Sequence, residues 1–485
     1  MVDQLGKKVI GATKWTVLTE VVVKLIHPVT NMILARLLTP EAFGVVTTLG
    51  VITSFAGILT DAGFHKYLIQ HEFLDVSDLR QSADVAFWSN LFLSLIIWII
   101  IACFAEPLAV IVGSPGLGHV LTISSITIVL GAFSSIQVAL YKRHFEFRIL
   151  FRTRLVSIIL PFIVTVPLAF LLRSYLALVI GGIVQSVVNV ALLMYYSNWK
   201  PYFYYSLKKL REMLSFSAWS AFESFSIWLT CYLDVFIVGT ALSSYYLGLY
   251  RTSIVTVMQI TGLITDATTP VLFSLLSRLQ DNDEQFRKLF SLFQKCVGIL
   301  VIPASVGIFC FSDLITAILL GDQWTEASGF IGLWGLTSGI TIVLSHYSSE
   351  VFRAKGRPQL SVLSQWLDII VLLPVVMIAV RYDFQTLYIA RSFVRLEGVV
   401  VSLAILYLAM DFSPWKMVGN IVPSILASIP MALVACYLRS ISHNMMYQFL
   451  VIIICSAVYF AVLFLFRGER QIIARDLLRR LVACS

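Results

Sequence analysis

Residues 15–35 read WTVLTEVVVKLIHPVTNMILA, and the fold turns on how this stretch is read. It is apolar and, at about 20 residues, long enough to cross the hydrocarbon core as a helix. Within it Glu20, Lys24, His27 and Asn31 follow one another at spacings of four, three and four. On a helix of about 3.6 residues per turn these four share one face. Lys24 lies near the middle, too deep for its ammonium to snorkel easily to the headgroups. Lipid cannot solvate such a stripe, so it must face protein or water. The stretch alone leaves two readings open: a buried Glu20–Lys24 pair tying helices together, or the wall of a hydrated transport cavity.

The remainder of the chain has the same character. Of its 485 residues 59% are hydrophobic and 13% charged, and mean hydropathy is +0.88. These values exclude an ordinary soluble protein and predict an all-α polytopic membrane protein. No cleavable signal peptide is expected, because the first apolar segment is too long, carries charges and lacks a small-residue cleavage site. The seven cysteines are scattered with no CxxC or Cys/His spacing, so neither a disulfide framework nor a metal site is expected.

Apolar segments separated by polar or Gly/Pro breaks predict fourteen spans. They fall near 14–35, 42–63, 83–105, 118–141, 153–172, 174–196, 213–239, 245–271, 287–311, 328–350, 360–380, 384–409, 417–438 and 446–466. With the N-terminus inside, 27 of the 35 Lys and Arg fall on that side, four on the other (Arg36, Arg173, Arg381, Arg439) and four within spans (Lys24, Arg251, Arg391, Arg395). This bias predicts that both termini are cytoplasmic. It also accounts for the net charge of +8 without any nucleic acid. The expected organisation is an N-lobe over 1–196, an aromatic, basic interfacial linker over 197–212 and a C-lobe over 213–410. Two further spans over 411–466 and a basic, membrane-surface tail over 467–485 follow.

The two lobes repeat one another. Ala35–Gly44 lies between spans one and two, and Gly239–Gly248 between spans seven and eight, 204 positions on. Thr60-Asp61-Ala62 recurs as Thr265-Asp266-Ala267, and Glu223, Thr230 and Asp234 stand where Glu20, His27 and Asn31 stand in the first copy. Six spans per copy make the repeats parallel, a common transporter layout with its substrate site at the interface of the two bundles.

The motifs Ile33–Gly44 (ILARLLTPEAFG), Asp61-Ala-Gly63, Leu247-Gly-Leu-Tyr250, Leu276–Gln280 (LSRLQ) and Ala354–Pro358 (AKGRP) resemble the Wzx-type polysaccharide transporters, of colanic-acid exporter flavour. These belong to the multidrug/oligosaccharidyl-lipid/polysaccharide superfamily. The resemblance implies two six-helix lobes around a V-shaped central cavity plus two C-terminal helices. It also implies flipping of polyprenyl-diphosphate-linked oligosaccharides across a bacterial inner membrane. Some superfamily members bind a cation between acids on helices seven and eleven, and the resemblance places Asp234 and Asp368 on the corresponding helices.

The charges within spans are the candidate working parts. Arg391 and Arg395 are four apart and lie roughly ~11 and ~17 Å into span twelve, with Tyr388, Gly398 and Ser402 continuing their face. Guanidinium stays charged at physiological pH and matches phosphate oxygens, so the pair suits a diphosphate or an acidic sugar. The alternative is neutralisation by Glu397 or by acids on neighbouring helices. Lys24 would add a third cation, and Arg251 either joins them or snorkels. Glu20, His27, Asn31, Glu223, Asp234 and Asp368 are candidates for cavity polarity or coupling to H⁺ or Na⁺, with plain ion pairing as the other reading. Asp61 and Asp266 read as helix-end groups. Ser338, Thr341, Ser345 and Ser349 form a hydroxyl stripe on span ten, and His27-Pro28 is expected to kink span one. The ten Trp and nineteen Tyr read as interfacial belts.

These features predict a lipid-linked oligosaccharide flippase working by alternating access, with no enzyme activity and no cofactor. Its expected partners are the glycolipid, membrane lipids and polysaccharide assembly proteins such as a polymerase. No GxxxxGK[ST] motif suggests ATP coupling. A drug/cation antiporter of the superfamily would have twelve spans and an acidic cavity. A membrane polymerase or glycosyltransferase would carry a sizeable extramembrane loop, and no loop here exceeds about twenty residues.

Overall fold

The computed structural model describes residues 22–23, 26–61, 63–144, 146–357, 359–442 and 444–466, with backbone alone at 70, 215–223, 270 and 274. Among these residues every regular element is helical. The chain divides into two compact units, Met1–Arg251 and Thr252–Ser485.

The first unit holds α1 (26–37), α2 (Pro40–Asp61), α3 (Phe64–Gln70), α4 (Val76–Cys103), α5 (Ala105–Ile111), α6 (Gly118–Ser124), α7 (Ile126–Arg143), α8 (Phe147–Leu172), α9 (Leu176–Tyr196) and α10 (Leu207–Ala241). The long α11 (Ser244–Arg278) begins in it. The second unit continues with α12 (Asp283–Cys310), α13 (Ser312–Leu319) and α14 (Ala327–Thr341). A π turn over Ile342–His346 follows, then α15 (Ser348–Ala354), α16 (Gln359–Ala379), α17 (Phe384–Val394), α18 (Glu397–Met410), α19 (Pro414–Arg439) and α20 (Met445–Leu463).

Thirteen helical stretches among the described residues are long and apolar enough to span a bilayer. They coincide with the second to fourteenth expected spans. The first, 14–35, lies largely outside the described residues. Within the spans Phe170, Leu171, Leu408 and Leu433 are 62%, 75%, 81% and 67% exposed. Water would penalise that surface by roughly 25 cal/mol per Å², whereas lipid accepts it. The chain is a multi-pass membrane protein.

Each unit packs its own core. In the first, Phe64, Leu68, Ala86, Phe87 and Ile136 join α3, α4 and α7, and Leu49, Leu121 and Val179 join α2, α6 and α9. In the second, Phe290, Val301, Tyr347, Leu406 and Ile421 join α12, the π turn, α18 and α19.

Three local features add to the expected pattern. The linker expected over 197–212 is helical from Leu207, because Ser206 caps α10 by accepting from Lys209 N. The segment before it is fastened to α4: Asp84 Oδ1 accepts from Trp199 Nε1 and Tyr202 N (both 3.2 Å), and Trp88 Nε1 donates to Tyr202 O (2.9 Å). Span twelve is also not one continuous α-helix: α17 ends at Val394 and α18 starts at Glu397, joined by a tight turn.

The starts of α4 and α17 are capped alike. Asp75 accepts from Asp78 N at 2.7 Å and Asp383 from Thr386 N at 2.6 Å. The Asp78 N–H, and for Asp383 the Thr386 hydroxyl and N–H, hold these carboxyls below the usual carboxylate range.

Candidate functional site

The second unit brings Arg391 and Arg395 together on one indole. Their guanidinium carbons lie 4.9 and 3.9 Å from the ring centroid of Trp334. Trp334 is itself buried (5% exposed), while both arginines are half-buried. Arg395 also donates from Nη1 to Ser338 Oγ at 2.9 Å, so one turn of α14 holds it by an aromatic face and a hydroxyl. Cation–π attraction strengthens as water is excluded, so the buried indole is a favourable seat for both guanidiniums. One turn along α17, Tyr388 stacks on Phe330 (centroids 5.7 Å apart, planes at 22°). It also lies so close to Gly329 that a Cβ there would be 2.8 Å from its hydroxyl.

Two departures from regular α-helix meet beside the pair. The turn at Arg395–Leu396 closes i→i+3 bonds, from Leu396 N to Phe393 O (3.0 Å) and from Val399 N to Leu396 O (3.1 Å). Facing it is the π turn Ile342–His346, whose Ser345 Oγ lies 2.8 Å from Ser402 Oγ and donates to Gly398 O (3.3 Å). Mid-helix 3₁₀ and π geometry often mark hinges and functional sites. Asp368 lies against the start of α18, its Oδ1 3.4 Å from the position a Cβ on Gly398 would take. Glu397 Oε2 has no hydrogen-bond partner among the described residues, so that oxygen is not engaged by either arginine.

The first unit holds a second group. Asp234 is buried and its Oδ2 accepts from the buried Tyr250 hydroxyl at 2.7 Å. The next residue, Arg251, lies over Tyr232 at 5.4 Å. Tyr232 continues a row on α10 in which Phe225, Trp228 and Tyr232 stack with planes at 14° and 21°. Trp228 Nε1 anchors that row to Ser54 on α2 at 2.9 Å. Asn31 is half-buried and His27 exposed. Glu20 and Lys24 lie outside the described residues, as does the side chain of Glu223.

Trp334 is the residue that reading by composition overlooks, since aromatic residues were expected in interfacial belts. Trp415, Tyr382 and Tyr437 are exposed near span ends as such belts require, but Trp334 and Trp228 lie inside spans. The signal was available: Trp334 is four residues before Ser338, so it extends the hydroxyl stripe by one turn. Of that stripe, Ser338 reaches Arg395 and Ser345 reaches Ser402, while Thr341 bonds back to the carbonyls of Thr337 and Ser338. Among the described residues no three His, Cys, Asp or Glu gather as metal ligands.

Fold and site together define a many-span helical membrane protein with arginines fixed inside a broken span. The fold is similar to that of "Lipid II flippase MurJ, inward closed conformation", with a TM-score of 0.73 at 15% identity, covering 97% of this chain and 100% of that one. It is also similar to a multidrug resistance MATE family transporter of the MOP superfamily, with a TM-score of 0.59 at 14% identity, covering 82% and 94%. The family model described as "Polysaccharide biosynthesis protein" matches residues 33–329, and the chain belongs to that family. Its relatives include the succinoglycan biosynthesis transport protein ExoT of Rhizobium meliloti, 26% identical over 74% of this chain and 72% of that protein. Another is the lipopolysaccharide biosynthesis protein WzxC of Escherichia coli, 24% identical over 66% and 65%.

Proposed function

We propose that this protein flips a polyprenyl-diphosphate-linked oligosaccharide, a polysaccharide repeat unit, across the bacterial inner membrane by alternating access. The observation that carries the reading is the pair Arg391/Arg395 held on Trp334 inside a membrane span. Guanidinium keeps its charge at physiological pH and matches phosphate oxygens, so a pair of them within a span suits a diphosphate or an acidic sugar. Family membership supports the cargo class, as do relatives named for succinoglycan transport and lipopolysaccharide biosynthesis and a fold shared with a lipid II flippase.

In this reading the glycan headgroup enters from the cytoplasm while the prenyl tail stays in lipid. Arg391 and Arg395 bind the anionic part, with Lys24 and Arg251 as further cations. The 27-to-4 bias of Lys and Arg supports cytoplasmic termini. The inside-negative potential favours outward movement of an anion by about 2.3 kcal/mol per charge per 100 mV. Asp234 and Asp368 are the candidate sites for a coupling H⁺ or Na⁺, and a polymerase is the expected neighbour on the receiving side.

The test is to extract polyprenyl-linked glycans from cells lacking the protein and from cells carrying Arg391→Ala/Arg395→Ala at matched membrane level. A completed diphosphate-linked unit should accumulate in both, with surface polysaccharide lost. No accumulation in the deletion strain, with polymer still reaching the surface, refutes the reading.

A further inference from the structure

In the first unit two repeat-related helix starts meet backbone to backbone. α2 begins at Pro40 and α11 at Ser244, 204 positions on, and each carries a glycine four residues later, Gly44 and Gly248. A Cβ on Gly44 would fall 1.8 Å from Ser244 O, and one on Gly248 would fall 1.9 Å from Pro40 O. Each would also come within 3.1 Å of the other glycine's amide nitrogen. The contact is therefore reciprocal: residue and partner exchange places under the repeat. It is made of main chain on main chain, the geometry of paired Cα–H···O contacts. A second glycine pair makes the same kind of contact. Gly113 (φ +81°), in the turn between α5 and α6, presses on Gly239 so closely that its Cβ would be 1.6 Å from Gly239 O.

These contacts share one end of the unit. The turns at 38–40, 112–114 and 239–244 are all on the side that the Lys/Arg count places outside. A cavity of about 580 Å³ opens at the same end, lined among others by Thr39, Glu41, Arg173, Ser243 and Tyr245. It brings polar groups to the edge of the joint.

We propose that the Pro40–Gly44/Ser244–Gly248 crossing is the outer seal of the transport path, shut in this structure and parted once per cycle to release the glycan. The proposal rests on the transport reading above. The chemistry suits a joint that must open. Side chains that interlock resist separation, whereas two glycine-bearing backbones meet as smooth surfaces held by weak contacts. The close approach shuts out a glycan, and nothing has to change rotamer for the surfaces to part. A static helix crossing would use the same glycines, so the test must separate a joint that moves from one that does not.

Two arms do so in the full-length protein. In the first, the exposed Cys103, Cys231 and Cys436 are replaced by serine and function is confirmed. Glu41→Cys and Tyr245→Cys, repeat mates that line the cavity, are then bridged by bifunctional methanethiosulfonates of increasing span. The short bridge should stop glycan export and cause the lipid-linked unit to accumulate, with recovery on reduction. Unimpaired export with the bridge in place overturns the proposal. In the second, labelling of Ser243→Cys by an impermeant maleimide added outside is compared with and without Gly44→Ala. The methyl should raise the rate about tenfold by propping the joint apart. An unchanged rate in a variant inserted at the normal level overturns the proposal. If the deletion strain accumulates no glycolipid, the transport reading fails by itself, and the labelling arm still decides whether the joint opens.

Discussion

Trp334→Leu removes the surface on which two guanidiniums rest, and the structure ranks what each should lose. Arg395 lies 3.9 Å from the ring centroid and Arg391 4.9 Å. Trp334 is buried, so the closer contact should be worth about 2 kcal/mol and the longer about 0.5–1 kcal/mol. Single replacements mix this term with lost packing, so the quantity to measure is the coupling in a double-mutant cycle. Trp334→Leu with Arg395→Met should couple by about 1.5–2 kcal/mol, and with Arg391→Met by about half that. Ser338→Ala should weaken only the Arg395 arm, since Ser338 accepts from Arg395. The assay is reversible unfolding of the purified protein in detergent, followed by tryptophan-independent circular dichroism. A coupling for Arg395 within about 0.3 kcal/mol of zero, inside the usual additivity error, would refute the argument. So would a larger coupling for Arg391.

Two further outcomes can be checked on the same preparations. Arg143 donates from Nη1 to the carbonyls of Leu68, Ile69 and His71 (2.9, 3.3 and 2.8 Å) and lies over Phe73. Arg143→Met should therefore cost about 1.5–3 kcal/mol and speed amide exchange through the end of α3, with no change expected in α18. The cap at Asp75 should show in the acid limb of stability. Its carboxyl is held below the usual range, so its stabilising effect is present above the ordinary value near 3.9 and fades as pH falls through the lowered one. Asp75→Asn keeps an acceptor but cannot titrate, so the slope of unfolding midpoint against pH should flatten below about pH 4; an unchanged slope would contradict the cap.

Much of the architecture is written locally. Each span is a run of apolar residues whose length is matched to the bilayer, and thirteen helices among the described residues lie where that rule puts them. The Arg391/Arg395 pair was legible for the same reason: two charges four apart on an apolar helix must share a face. The break at Arg395–Leu396 was not legible. No proline marks it, and the hydroxyl that meets it, Ser345 donating to Gly398 O, comes from a π turn some fifty residues earlier.

The sequence by itself determined the membrane character, the places of the second to fourteenth expected spans, the charge asymmetry and the identity of the ionisable residues inside spans. These depend on hydropathy and helical period, which any short window carries. Only the tertiary structure decided that Trp334 holds both arginines, that Asp234 binds Tyr250 and that Gly44 and Gly248 meet backbone to backbone. The repeat offset made the two glycines equivalent, but equivalence does not imply contact. Contacts across 57 or 204 positions depend on how helices pack, a property of pairs of surfaces that no single segment encodes.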